Sequence, residues 1–360
     1  MSTWPDRRLL DLLGLDVPIL QAPMAGAAGS ALAIAVGSAG ALGALPCALL
    51  SPALIRQEIE AFRAACEGPL NLNFFCHRPP AADAAREARW KQALKPYYEE
   101  HGLDFTAATP VSSRAPFDAA GCALIEAYHP EVVSFHFGLP APDLLQRVKA
   151  TGAKVLSSAT TVEEAHWLEA QGCDAIIAMG YEAGGHRGMF LSEDIDSQIG
   201  TFALVPQVVD AVNVPVIAAG GIADHRGLVA ALALGASAVQ IGTAYLFSPQ
   251  AKVSTAHRRA LDTASASETA LTNLFTGRPA RGIVNRVMRE LGAMSPLAPA
   301  FPLAGGALMP LRAVDDAQDT SDFGNLWAGQ ALRLGRHLTA DALTRDIATR
   351  ALALIGTSSM

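Results

Sequence analysis

The 360-residue sequence predicts an α/β protein: a closed (β/α)8 TIM barrel with a smaller, mainly helical insertion or cap near the barrel mouth. Three observations lead there. Eight short runs rich in Val, Ile and Leu alternate with longer helical stretches. Several of the runs lack period-two alternation, as strands covered by helices on both faces do. Residues of special chemistry fall at or just past the C-terminal ends of these runs, the face on which such barrels build their sites.

Taken in order, "VPILQAP" leads into Met24, and "ALGAL" closes the Gly/Ala-rich stretch that follows. "PLNLNFF" carries Asn73, "EVVSFHFG" His136 and "AKVLSSA" Ser157. "AIIAMG" reaches Met179, "VPVIAAGG" ends on Gly220 and Gly221, and "SAVQIGT" ends on Gly242 and Thr243. Between them "SPALIRQEIEAFRAAC", "APDLLQRVKATG", "TVEEAHWLEAQG" and "HRGLVAALALG" have helical spacing. An open doubly wound sheet is the competing arrangement, but the first run leads into "APMAGAAGS" rather than a G-x-G-x-x-G turn.

Residues 1–250 and 321–360 are assigned to the barrel. Residues 77–130 form a helical excursion within it, containing "LDFTAA", an apolar piece that is either a ninth strand or part of the loop. Residues 251–320 read as helices and loops of a substrate-side segment, and the C-terminal tail returns to the barrel wall.

With 51% hydrophobic and 17% charged residues the chain can bury a large core. Its net charge of -7, without any Lys/Arg run, excludes a nucleic-acid surface and a polybasic membrane patch. No uncharged apolar run reaches the ~18 residues of a membrane span, and the N-terminus lacks the apolar core of a signal peptide. Five scattered cysteines with no C-x-x-C pair suggest neither a disulfide framework nor a metal site. The expectation is a cytoplasmic protein whose partners are small molecules; its oligomeric state is left open.

Glycines at strand-to-helix corners leave backbone N–H groups exposed at a helix start, which suits a phosphate. Gly220, Gly221, Gly242 and Thr243, on two consecutive corners, are the phosphate candidates. In "MGYEAGGHRG", Ala183, Gly184 and Gly185 make a turn nearly stripped of side chains, and His186 stands at its lip. From residues alone the ligand is a phosphorylated cofactor or substrate.

"PILQAPMAG", "NLNFF", "VSFHFG", "VLSSATTVEEA", "GYEAGGHRG", "VPVIAAGGIAD", "LGASAVQIGTAYL", "TGRPARG" and "WAGQ", in that order, resemble the motifs of the FMN-dependent nitronate monooxygenases, formerly 2-nitropropane dioxygenases. The resemblance runs from about residue 14 to 345. It implies one noncovalent FMN and oxidation of alkyl nitronates, such as propionate 3-nitronate, or of nitroalkanes by molecular oxygen to a carbonyl compound and nitrite. It also implies that Ala22, Pro23, Met24, Asn73, Ser157, Met179, Ala183, Gly184 and Gly185 surround the flavin. Gly220, Gly221, Gly242 and Thr243 hold its phosphate, and Gln330 closes over the ring. His186 matches the catalytic histidine, and His136 is placed to bind substrate. An imidazole, with a pKa near ~6.5, can pair with an anionic nitronate or take the α-proton of a neutral nitroalkane. Arg187 supplies either positive charge or a structural ion pair.

Two departures stand out. Met179 occupies a position where related sequences more often carry glutamine. "PAFPLAGGALMPLR" lacks the tyrosines and lysine that some members place there, which implies a more apolar lining and a more hydrophobic substrate. The alternatives are a flavin-dependent NAD(P)H reductase, of the enoyl-ACP or quinone type, on the same barrel, and a non-redox phosphate-ligand barrel.

Overall fold

A computed structural model describes residues 4–110 and 114–358. All eight expected runs form strands: β1 (Ile19–Gln21), β2 (Gly43–Pro46), β3 (Leu70–Phe75), β4 (Val132–His136), β5 (Lys154–Ala159), β6 (Ala175–Met179), β8 (Val216–Ala219) and β9 (Ala238–Ile241). A two-residue strand, β7 (Gly185–His186), lies between the sixth and seventh of them and belongs to another sheet. The eight pair in parallel in the order β1-β9-β8-β6-β5-β4-β3-β2. The seam between β1 and β2 has one bridge, Leu20 to Leu42. Gln21 completes it: its buried side chain donates from Nε2 to the Ala44 carbonyl (3.0 Å) and accepts from the Ala44 N–H (3.1 Å).

Helices wrap the strands because their first turns are capped and one stripe of each is apolar. Ser51 caps Pro52–Ala65, whose Ile55, Ile59 and Phe62 are buried. Asp118 caps Ala119–Tyr128, Thr161 caps Val162–Ala170 and Asp224 caps His225–Ala233. The tail helix Ala340–Ser358 packs on the wall, burying Leu343, Ile347 and Ala351 in the barrel core. No described helix is long and apolar enough to cross a membrane.

Residues 77–130 divide between two cores. Ala119–Tyr128 packs on the barrel, whereas Ala84–Glu100 puts Trp90, Leu94, Tyr97 and Tyr98 into a second core with Phe275, Leu308 and Leu311. Trp90 Nε1 donates to the Ala304 carbonyl (2.9 Å) and the Tyr98 hydroxyl to that of Ala307 (2.6 Å), both on the helix Ala304–Gln318. "LDFTAA" is not a ninth strand. Asp104 accepts from both the backbone N–H and the hydroxyl of Thr106, which turns the chain there.

Residues 251–320 are not only helices and loops. They contain β10 (Thr269–Thr272) and β11 (Ala280–Ile283), an antiparallel pair to which β7 adds through Ala280↔His186 and Arg281↔Gly185. β11 does not read as a strand because Arg281 sits in its middle. The fold buries that arginine by donation from Nε to the Tyr181 carbonyl (3.1 Å) and by stacking it 4.8 Å above the Tyr181 ring.

Candidate active site

The C-terminal ends of the strands open into a cavity of about 420 Å³ between barrel and cap. Ala22, Pro23 and Met24 line it after β1, Asn73 from β3, His136 from the end of β4 and Met179 from the end of β6. Ala183, Gly184, Gly185 and His186 follow, and Gly220, Gly221, Gly242 and Thr243 complete the barrel side.

The two glycine corners bring Gly220, Gly221, Gly242 and Thr243 to one wall of the cavity. Gly220 and Gly221 have φ of +109° and +71°, a region that favours glycine. Thr243 begins a short helix with no side-chain cap, and its hydroxyl accepts from the Gly329 N–H (2.8 Å), which leaves the hydroxyl hydrogen to donate. At Gly184 a Cβ would come 2.5 Å from the Gly329 nitrogen, whereas at Gly185 (φ +71°) it would meet nothing within 4 Å. Asn73 donates through Nδ2 to the Ser134 carbonyl (3.2 Å) and hydroxyl (2.9 Å). Since a carbonyl only accepts, the Asn73 amide is oriented and its Oδ1 remains an acceptor on the cavity side. A flat ring with N–H and C=O edges on a phosphate tether fits this donor set.

Two residues of the expected set lie elsewhere. Ser157 is fully buried and donates behind the wall to the Phe135 and Gly138 carbonyls (both 3.1 Å), while Ser158 lines the cavity. Neighbouring residues of a strand face opposite ways, and the Ser-Ser doublet hid which one faces in. At "WAGQ" the lining comes from Gly329 and Ala331; Gln330 instead donates its backbone N–H to the Glu182 carbonyl (3.0 Å).

His136 faces the cavity with both ring nitrogens engaged. Nε2 lies 3.1 Å from the His186 carbonyl and so must carry the hydrogen; Nδ1, 3.0 Å from the Ser158 hydroxyl, then accepts. Burial pushes its pKa down to about 4. His186 is likewise pulled well below the usual imidazole value, first by burial and then by the positive charge of Arg114 and by His136, Arg278 and His77. Both rings are neutral at cellular pH. A neutral ring is the form that can accept a proton.

Arg187 makes no ion pair among the described residues. It is fully buried and donates to the carbonyls of Gly180 (2.6 Å) and Met179 (2.7 Å) and to Gln198 Oε1 (3.0 Å). The expected apolar lining is also corrected, since Arg114 and Arg312 both border the cavity. Arg312 comes from "PAFPLAGGALMPLR" itself and donates to the Phe323 (3.4 Å) and Phe275 (3.2 Å) carbonyls. Arg114 is a lone arginine in the excursion, and no local pattern marks it as part of the cavity wall. No group of residues suited to a metal ion occurs among the described residues.

The buried histidines carry a stability consequence. His136 and His257 have folded pKa values of about 4, lowered chiefly by burial, so their contribution is complete above the unfolded value of ~6.5 and is lost as pH falls towards 4. Each reduces stability by at most about 1.4 kcal/mol per pH unit across that window. The urea midpoint is expected to fall between those pH values, and His257→Gln to flatten the fall; equal slopes in both proteins would refute this.

The family model described as "Nitronate monooxygenase" matches residues 6–349. A nitronate monooxygenase of Paraburkholderia phytofirmans is 43% identical over 349 residues, covering 95% of this chain and 94% of the relative. That of Pseudomonas aeruginosa is 42% identical over 346 residues, covering 94% and 97%. The solved nitroalkane oxidase of Streptomyces ansochromogenes superposes with a TM-score of 0.89 at 37% identity, over 98% of this chain and 100% of that one. FabK of Thermotoga maritima superposes at 0.72 with 26% identity, over 99% of each chain.

Proposed function

The chain belongs to the nitronate monooxygenase family, and from that premise we propose that it oxidises alkyl nitronates or nitroalkanes with molecular oxygen, yielding a carbonyl compound and nitrite, with FMN in the cavity. The observation that carries this reading is the half-buried His186 facing the same cavity as the two glycine corners. Gly220, Gly221, Gly242 and Thr243 would hold the phosphate; Ala22, Pro23, Met24 and Asn73 would flank the ring. Met179, Ala183, Gly184 and Gly185 would let it lie close to backbone. When bound, FMN supplies the redox chemistry, taking electrons from the nitronate and returning them to oxygen.

The protein's own work is binding, orientation and proton transfer. His186 takes the α-proton of a neutral nitroalkane, a step that a preformed nitronate does not need. His136 holds the His186 backbone from behind. Phe75, Trp327 and the cap exclude water, and we propose that the second core, which includes residues 84–100 as well as much of 251–320, is the substrate-side unit.

Arg114 and Arg312 favour a substrate with a second negative charge over a merely hydrophobic one. Propionate 3-nitronate is expected to be turned over better than longer alkyl nitronates. Arg312→Leu should raise its KM on the order of tenfold, the loss of one charged hydrogen bond, with little change for butyl nitronate. Equal changes for both substrates would remove Arg312 from substrate binding.

The central experiment is to release and identify the chromophore, then follow anaerobic bleaching of the protein with a nitronate and with NADH or NADPH side by side. Reduction by nitronate is expected. Fast reduction by NAD(P)H alone would make the protein a reductase instead, and colourless protein that takes up no FMN would favour a non-redox barrel.

A further inference from the structure

We propose that Thr276 is a positioning residue that holds neutral His186 as its Nε2–H tautomer, leaving the Nδ1 lone pair for the substrate proton; this rests on the reading of His186 as the base. Thr276 stands in "TGRPARG", between β10 and β11, and is fully buried. Its Oγ1 lies 2.9 Å from His186 Nε2 and 3.4 Å from the Arg278 carbonyl.

The hydroxyl has one hydrogen to give, which leaves two arrangements. If it goes to the Arg278 carbonyl, the hydroxyl oxygen accepts from Nε2–H, and both hydrogen bonds form. If it goes to Nε2, the bond to Arg278 is lost and an Nδ1–H group, unable to accept a proton, replaces the lone pair. The first arrangement makes one more hydrogen bond among buried groups and is the one retained.

Neither partner can turn away. Threonine is β-branched and stiff at χ1. The next residue, Gly277, has φ +91° and is wedged so closely that a Cβ there would collide with the Pro299 carbonyl and lie 2.7 Å from the Phe301 nitrogen. The His186 ring meets Phe301 (centroids 5.4 Å apart), Trp327 (5.5 Å), Phe137 (5.9 Å) and Phe75 (6.1 Å). Its backbone is held by β11 and by His136 Nε2. In the step itself the α-proton moves to Nδ1, the C–H electron pair becomes the C=N bond of the nitronate, and the N=O π pair moves onto a nitro oxygen. The resulting imidazolium keeps its Nε2–H donated to Thr276.

The test is long-range 1H–15N correlation on the flavin-loaded protein with 15N-labelled histidine, near neutral pH, the His186 signals being those missing from His186→Asn. The wild type and Thr276→Ser are expected to show the Nε2–H pattern, and Thr276→Val a mixture of tautomers. In parallel, Thr276→Val should lose at least about tenfold in turnover of a neutral nitroalkane, less with the preformed nitronate, and Thr276→Ser should restore it. An Nδ1–H pattern in the wild type, or an unchanged pattern in Thr276→Val, overturns the proposal. Should the Nε2–H pattern appear in a protein that turns over no nitro compound, the functional reading fails and the tautomer assignment stands.

Discussion

His186→Asn is expected to lower turnover of a neutral nitroalkane by roughly 10²- to 10⁴-fold, the range attributable to one positioned general base. With a preformed nitronate the same variant should lose far less, because the proton has already gone. The contrast follows from the neutral state that burial and neighbouring positive charge impose on the ring. Steady-state rates with both substrates decide it. Equal losses would point to a binding role, and near-normal nitroalkane turnover would remove His186 as the base.

Arg187→Leu should produce the largest loss of stability of any single change near the site. Its three acceptors, the Met179 and Gly180 carbonyls and Gln198 Oε1, lie where water cannot replace the guanidinium. The Gly180 carbonyl keeps the Ala183 N–H as a donor (3.1 Å), but the other two are left unpaired, at ~1–3 kcal/mol for each and so at least about 2 kcal/mol together. Lysine should rescue little, since a point charge does not span three acceptors. Because two of these acceptors stand at and just past the end of β6, FMN retention should fall together with the guanidinium midpoint. An unchanged midpoint in Arg187→Leu would contradict this account.

The barrel was legible in the sequence because each strand is a short apolar run ending at a glycine or polar residue, a signal carried by local residues alone. The family membership and most of the cavity wall were legible in its motifs for the same reason. What escaped depends on parity or on distance. Ser157 and Ser158 are chemically alike, and only the register of β5 with β4 decides which one faces His136. Thr276 was visible within "TGRPARG", yet nothing local says that its hydroxyl meets a ring 90 residues earlier. β7 has two residues, too few for any periodicity, and exists only because β11 offers it an edge. Arg312 sits on a helix whose apolar neighbours fill the second core, so its segment looked apolar.

The pairing of β7 with β11 places the two halves of the chemistry on separate foundations. The glycine corners are anchored in the ring of parallel strands, while the imidazole is carried by an antiparallel sheet contributed largely by the cap. A substitution in the cap that displaces β11 would carry His186 with it through β7 and leave the Gly220 and Gly242 corners where the parallel strands hold them.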